Sequence, residues 1–371
     1  MDIAEFEQLR QWVLWAAFGV GGLFGLIVQR THFCTMGAIS DAVNIGSWIR
    51  VRQWVMAVAV AMAGYHLLGY FGVIDPSQSI YASGHILWLS ALLGGAMFGF
   101  GMVLASGCGS KTLVRIGAGN LKSVVVFAVM GLAAFATLRG VTAVWRVATV
   151  DNIAFDMQGG SHVGAWLGSL AGLAPSEATL GSGLVLSAVM LVWVLKDAEF
   201  RSELNNWVAG LGLGLVIVLM WWVSGSMGFV SEHPQTLEAV YVATNTGRME
   251  SLTFTAPMAY ALDWLIYFSD TNKVLTVSVA TVAGVVAGSF LQSRLDGSFR
   301  WEGFRDTQDT ALHIAGATCM GIGGVTALGC TVGQGLSGLS TMSLTSVLAV
   351  VGIVLGALGG FKFQMWLLER E

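Results

Sequence analysis

Charge is scarce in this chain. Only 11% of its 371 residues are Asp, Glu, Lys or Arg, where soluble domains carry about 25%. A chain that is also 55% hydrophobic, with repeated apolar runs of membrane-spanning length, reads as a polytopic membrane protein. Proline is nearly missing, with four residues against 49 glycines, the balance of closely packed membrane helices. Cysteine is rare as well: Cys34, Cys108, Cys319 and Cys330, none in a Cys-x-x-Cys pair. A disulfide framework and the usual zinc and iron–sulfur spacings are therefore not expected. The six histidines are scattered without ligand spacing, so no metal or cofactor is expected either. The net charge of −4 carries no sign of a nucleic-acid partner. Asp2, Glu5 and Glu7 beside Arg10 do not make the basic opening of a cleavable signal peptide.

What is present is a series of apolar runs. Residues 12–28, 54–74, 86–105, 121–138, 180–195, 207–230, 252–268, 274–291, 311–328 and 344–361 are the candidate spans. They imply an all-α fold of about nine to ten transmembrane helices in one transport domain, 1–371. Pro257 and Asp263 weaken 252–268 and make it the segment most suited to a re-entrant half-helix. Residues 35–46, with Asp41 and Asn44, are too short to span and read as a half-helix or a surface helix. Residues 139–177 read as a long loop with short or re-entrant pieces, and 231–250 as a polar surface stretch.

One motif stands apart from this apolar background. Ser106-Gly107-Cys108-Gly109-Ser110-Lys111 ends the run 86–105, and Leu328-Gly329-Cys330-Thr331-Val332-Gly333 ends the run 311–328. Sliding 94–108 onto 316–330 matches Gly94, Gly99, Gly101, Val103, Ala105, Gly107 and Cys108 with identical residues. The match marks an internal repeat, about 12–138 and 274–362, around a poorly matched middle, 139–250. Each copy is a helix that breaks at a Gly-Cys step. Broken helices in corresponding places are the sequence mark of a transporter's substrate site, because unpaired backbone at membrane depth survives only around protein or a wet cavity.

Cys34 ends the first run in the same style. A single cysteine is more often a small core hydrophobe, and Cys319, inside a run, reads that way. Three thiols at helix breaks suit another role. A buried thiol keeps its proton and is a weak donor and a weak acceptor, able to hold a polarizable anion without trapping it. Gly109, Ser110 and Thr112, and likewise Thr331, Val332, Gly333 and Gln334, open new helix starts that favour anions, or else serve plain helix packing. Lys111 and Arg115 read as markers of the cytoplasmic boundary. Arg300 reads as an anion-attracting charge at a pore mouth or as a loop charge paired with Glu302. Asp41 and Asp263 read as paired buried acids or as proton-coupling groups, and Asp263 alternatively as an interfacial charge.

Lysine and arginine place the loops with Arg30, Arg50, Arg52, Lys111, Arg115 and Lys122 in the cytoplasm and the N-terminus outside. With ten spans, the Arg294–Arg305 loop falls outside and the two Gly-Cys helices point the same way.

The runs Arg30-Thr31-His32-Phe33-Cys34, Ser106-Gly107-Cys108-Gly109-Ser110, Gly297-Ser298-Phe299-Arg300-Trp301 and Leu328-Gly329-Cys330-Thr331-Val332-Gly333-Gln334-Gly335 resemble the YeeE/YedE family of bacterial inner-membrane sulfur-compound transporters. The resemblance covers about 15–135 and 275–360. It implies an hourglass-shaped permease for thiosulfate or a related sulfur anion, with Cys34, Cys108 and Cys330 on a narrow central path. It also implies passage between thiols by S–H···S hydrogen bonds with little rocking. A cytoplasmic sulfur-accepting protein is the implied partner, alongside the bilayer. The long middle and the extra Cys319 depart from the family pattern. Two other classes stand beside a permease: a membrane sulfur-carrier enzyme using a cysteine persulfide, and an anchoring subunit of a larger complex.

Overall fold

Glycine decides where these helices touch. A computed structural model describes residues 2–157, 164, 175–270 and 273–370. Helix α1 (Ile3–Thr31) starts on a capping box between Asp2 and Glu5 and is followed by the short α2 (Thr35–Ser40), α3 (Ile49–Tyr70) and α4 (Trp88–Leu104). After the first Gly-Cys break come α5 (Gly109–Gly117), α6 (Leu121–Arg139) and α7 (Val141–Ala148). The middle supplies α8 (Pro175–Leu195), α9 (Ala198–Ser202), α10 (Leu204–Trp207) and α11 (Leu213–Trp222), the last flanked by π-helical turns. The remainder is α12 (Thr255–Ile266), α13 (Val277–Leu295), α14 (Thr307–Thr326) and α15 (Leu344–Leu368). Two short antiparallel ribbons pair His85–Ile86 with Phe155–Asp156 and Phe229–Val230 with Val240–Tyr241. Gly159, Gly160 and His162 of the 139–177 stretch lie outside the described residues.

Among the described residues, seven helical stretches are long and apolar enough to cross a membrane. Helices α13 and α14, at 19 and 20 residues, are also of spanning length at 1.5 Å per residue. Their Ser, Thr, Gly and His residues make them less apolar, and α14 packs between α4 and α6. Nine spanning helices follow among the described residues. The protein is an all-α polytopic membrane protein, at the lower end of the expected count.

The tenth candidate, 252–268, is not a span. Its helix α12 has 12 residues, about 18 Å. The chain reaches it from the face where Met249 bridges to Ser79, in the connection before α4. Phe254 then lies in the interior on Cys330, and α12 returns beside Gly131 toward the Arg139 end of α6. Entry and exit are on one face, which is the behaviour of a re-entrant segment.

That re-entry changes the orientation of everything after it. A Cβ on Gly94 would stand 2.8 Å from the Gly323 carbonyl oxygen, and one on Gly323 would stand 2.6 Å from that of Gly94. Gly101 and Gly316 meet in the same reciprocal way, at 2.5 and 2.6 Å. Rising numbers on α4 meet falling numbers on α14, so the two Gly-Cys helices run antiparallel rather than the same way. The Arg294–Arg305 loop likewise moves to the other face: the Arg300 carbonyl sits against Gly119, Asn120 binds Glu302 at 2.9 Å, and Lys122 pairs with Asp309 at 2.7 Å. The sequence count put this loop outside only because it treated 252–268 as a crossing.

Gly21, Gly25 and Gln29 share their spacing with Gly284, Gly288 and Gln292. Gly25 lies on the Val285 carbonyl and Gly288 on that of Gly22, so α1 and α13 are partners in one parallel crossing. Helix α15 packs on α4 by a small-residue stripe: Gly352 and Gly356 sit on the Leu92 and Ala96 carbonyls of α4.

Candidate functional site

Both Gly-Cys breaks are built on the same backbone device. After α4, Ser106 takes a left-handed φ of +56°, and after α14, Leu328 takes +58°. These positions correspond in the repeat. A side-chain-bearing residue there is strained, and the turn lets the chain restart at once as α5 or as the π-helical Gly333–Gly338. The thiol follows two residues later, at the new N-terminus. Cys108 and Cys330 are 1% and 0% exposed, and Cys34 is half-buried.

The three thiols are held in related ways. Cys34 Sγ accepts the Gly37 N–H at 3.4 Å, and Cys330 Sγ accepts the Gly333 N–H at 3.4 Å, each three residues on. Cys330 also accepts the Phe254 N–H at 3.3 Å, with Thr253 Oγ1 at 3.9 Å. Cys108 Sγ lies 3.2 Å from Ser110 Oγ. Cys108 is within electrostatic range of both Cys34 and Cys330, so the three form one cluster although 296 positions separate the outer two (34 to 330). Cys319 stays apart on α14, half-buried.

A cavity approaches the cluster from each face. On the face of Arg139 a cavity of about 470 Å³ is lined by Tyr81, Arg146, Arg248, Glu250, Thr253 and Gly329, and reaches Leu328 and Gln334. On the opposite face a cavity of about 290 Å³ is lined by Arg115, Lys122, Glu302, Arg305, Asp309 and Ser106. Leu328 and Gly329 line the first cavity and Ser106 the second, and the buried Cys330 and Cys108 follow two residues after Leu328 and Ser106. A third cavity, about 340 Å³ and apolar, lies between α2, α3 and α15 and touches Thr331.

The other expected residues divide. Gln334 is fully buried, donates Nε2–H to the Ala327 carbonyl at 2.7 Å, accepts from Ser346 and lines the first cavity. Thr331 is buried, and its hydroxyl has no hydrogen-bond partner among the described residues. Gly107 keeps room for cations, since a Cβ there would stand 3.3 Å from Lys111 Cγ and 3.4 Å from Arg115 Nη1. Lys111 is within electrostatic range of Cys34 and Cys108, and Arg115 of Cys34 and Lys111. Gly109 faces Met130. Arg300 is exposed and lines neither cavity; its N–H donates to the Ala118 carbonyl, and Glu302 is taken by Asn120. The motif around it is a clip: Gln29 Nε2 donates to Ser298 Oγ at 3.3 Å, and Ser298 donates to Asp296 at 2.6 Å. Those Ser298 bonds hold the Asp296 carboxyl below the usual carboxylate range. Asp41 and Asp263 are paired with Arg50 and Lys273.

Sequence reading passed over the walls of the larger cavity. Glu250, taken for a surface residue, is 5% exposed. The available signal was an acid directly ahead of an apolar run that begins at Leu252. Arg248 and Tyr81 sit in connections and Arg146 on the short α7, none with a motif of its own.

Residues 30–358 match the family described as "Sulphur transport". The chain belongs to the sulphur-transport family. It is 27% identical over 357 residues to a protein named thiosulfate transporter TsuA of Spirochaeta thermophila, covering 93% of this chain and 97% of that one. A protein of the same name from Escherichia coli is 27% identical over 360 residues, 91% and 90% of the two chains. A shorter match, 33% over 100 residues and 22% of the relative, is to the probable transporter YedE of Escherichia coli. The matches to the TsuA proteins include the middle, 139–250, where no family motif is legible.

Proposed function

We propose that this protein takes up thiosulfate or a closely related sulfur anion across the bacterial inner membrane. The observation that carries the reading is the pair of cavities, one on each face, each ending at one strained Gly-Cys break with Cys108 and Cys330 between them. The second face carries Arg30, Arg50, Arg52, Lys111, Arg115, Lys122, Arg294, Arg300 and Arg305 and is assigned to the cytoplasm. The N-terminus then lies in the periplasm. The anion enters past Arg146 and Arg248, meets Thr253 and Gln334, and passes Cys330, Cys108 and Cys34 toward Lys111 and Arg115. Gly107, Gly109, Ser110, Gly329 and Thr331 shape that path. A cytoplasmic sulfur-accepting protein would meet the chain at this basic mouth.

The chemistry favours passage over capture. The contacts of the thiols are to hydroxyls and backbone N–H groups, which present weak, replaceable bonds to a soft anion. A persulfide enzyme would need a base to form its nucleophilic thiolate. The similarity to proteins named thiosulfate transporters supports the same side. Liposomes holding the purified chain are expected to take up labelled thiosulfate, and Cys34→Ser, Cys108→Ser and Cys330→Ser to abolish it while Cys319→Ala does not. Equal uptake by all forms would sink the thiol path, and wild-type membranes that take up no sulfur anion would sink the permease.

A further inference from the structure

Among the described residues Glu250 is the one carboxylate that the fold buries. It sits on the first cavity, at the head of the re-entrant segment that places Phe254 on Cys330. Its backbone is fixed by Ser224, which accepts the Glu250 N–H at 3.2 Å and donates to its carbonyl at 2.5 Å. Ser278 donates to Oε1 at 3.0 Å, and Thr246 adds a hydroxyl. Every cation stays outside ion-pair range of the carboxyl among the described residues, although Arg248 and Arg146 line the same cavity.

This is an odd wall for an anion's vestibule. An ionised carboxylate, buried and unpaired, is costly, and it would repel an anion drawn in by Arg248, Arg146 being paired with Asp151 at 3.4 Å. A protonated one does neither. The groups facing it are few. Arg248 comes from its own segment, Arg146 from α7, His85 from the first ribbon, Tyr81 from the connection before α4, and Tyr260 from α12, with Cys330 beyond. The π-helical turn after α11 and helix α13 contribute only hydroxyls, those of Ser224 and Ser278.

We propose that Glu250 is the proton carrier of an anion–proton symport. The inference rests on the transport reading above. A membrane potential negative inside opposes the entry of a dianion, and a proton moving with it removes part of that opposition. The O–H bond forms on Glu250 from a periplasmic hydronium as the anion settles in the cavity. It breaks when the anion moves past Cys330: the carboxylate is regenerated and the proton passes to water on the cytoplasmic side, which becomes hydronium there. No electron changes hands.

The test uses the full chain in liposomes with a trapped pH-sensitive dye and the membrane potential clamped at zero. Added thiosulfate is expected to acidify the lumen, and an inward gradient of one pH unit to raise accumulation about tenfold per proton carried. Glu250→Gln is expected to lose both responses while exchange of labelled for unlabelled thiosulfate continues. Exposed Glu238→Gln keeps both. Accumulation by wild type with no acidification and no gradient response would overturn the proposal, as would a Glu250→Gln chain that still couples. Should that variant fail to insert, a hydrophobic carbodiimide decides the site, since it modifies buried protonated carboxyls. Mass spectrometry is expected to find the adduct on Glu250 together with loss of the proton response, and a lost response without that adduct would overturn the assignment. A wild type that neither accumulates nor exchanges thiosulfate would remove the transport reading itself.

Discussion

Replacing Cys330 tests two things that must be kept apart. Its sulfur accepts the Phe254 N–H at 3.3 Å and the Gly333 N–H at 3.4 Å. The first fastens the re-entrant segment to the Gly-Cys break, and the second caps the turn that follows. Cys330→Ala leaves both buried donors without an acceptor. An orphaned buried N–H costs about 1–3 kcal/mol, and sulfur is a weak acceptor, so the low end applies to each. The expected loss is about 2 kcal/mol, or roughly 4 °C in the apparent melting midpoint of a large chain. Cys330→Ser keeps an acceptor on a shorter bond and is expected to lose about 0.5 kcal/mol. Both are expected to abolish thiosulfate uptake, so only the serine variant separates loss of the thiol from loss of the fold. The assay is thermal unfolding in detergent beside uptake in liposomes, with Cys319→Ala as reference. A Cys330→Ala chain that melts with the reference would refute the anchoring argument. A Cys330→Ser chain that transports like wild type would refute the need for sulfur.

Gly323→Ala and Gly101→Ala each push a Cβ to 2.5 Å from backbone atoms of the facing helix; a loss of about 1–3 kcal/mol is expected. Gly359→Ala, with nothing within 4 Å, is expected to leave the midpoint unchanged, and equal midpoints for all three would end the close-packing account. Lys111→Gln with Arg115→Gln is expected to lower uptake about threefold at low ionic strength and to flatten its salt dependence; an unchanged salt profile would place both cations outside the path. Arg300→Ala is expected to leave uptake unchanged, since the side chain is exposed and away from both cavities.

Most of the helices were legible because apolar length and glycine spacing are local properties. The Gly-Cys breaks were legible for the same reason, since a helix stop and its restart are written within six residues. Handedness in the membrane was not. It depended on one segment, 252–268, whose length and hydropathy suit a crossing and whose pairing with Cys330 lies 76 residues away. Treating it as a span reversed the face of every later loop. The shared glycine spacing of α1 and α13 has a local cause: two helices in close parallel contact need the same small-residue spacing, whether or not they are copies. Glu250 was missed because burial of an acid is decided by what folds over it, here Ser224 of the turn after α11 and Ser278 of α13.

The reciprocal contacts of α4 and α14 bear on how an anion can pass. Gly94 with Gly323 and Gly101 with Gly316 bring two backbones together without side chains between them, and α15 closes on α4 in the same manner through Gly352 and Gly356. Packing of this kind has no slack over which the helices can tilt, because each backbone already fills the groove of the other. An alternating-access cycle that swings one repeat past the other would have to break all of these contacts at once. Smaller changes are available at the strained turns. Ser106 and Leu328 hold left-handed backbone, at about 1–3 kcal/mol each, and each lines one cavity two residues before one buried cysteine. Relaxing one such turn moves only its cysteine and the start of the following helix. On the transport reading, the two turns are therefore the parts able to open in sequence, first Leu328 and then Ser106, while the glycine-locked helices stay in place.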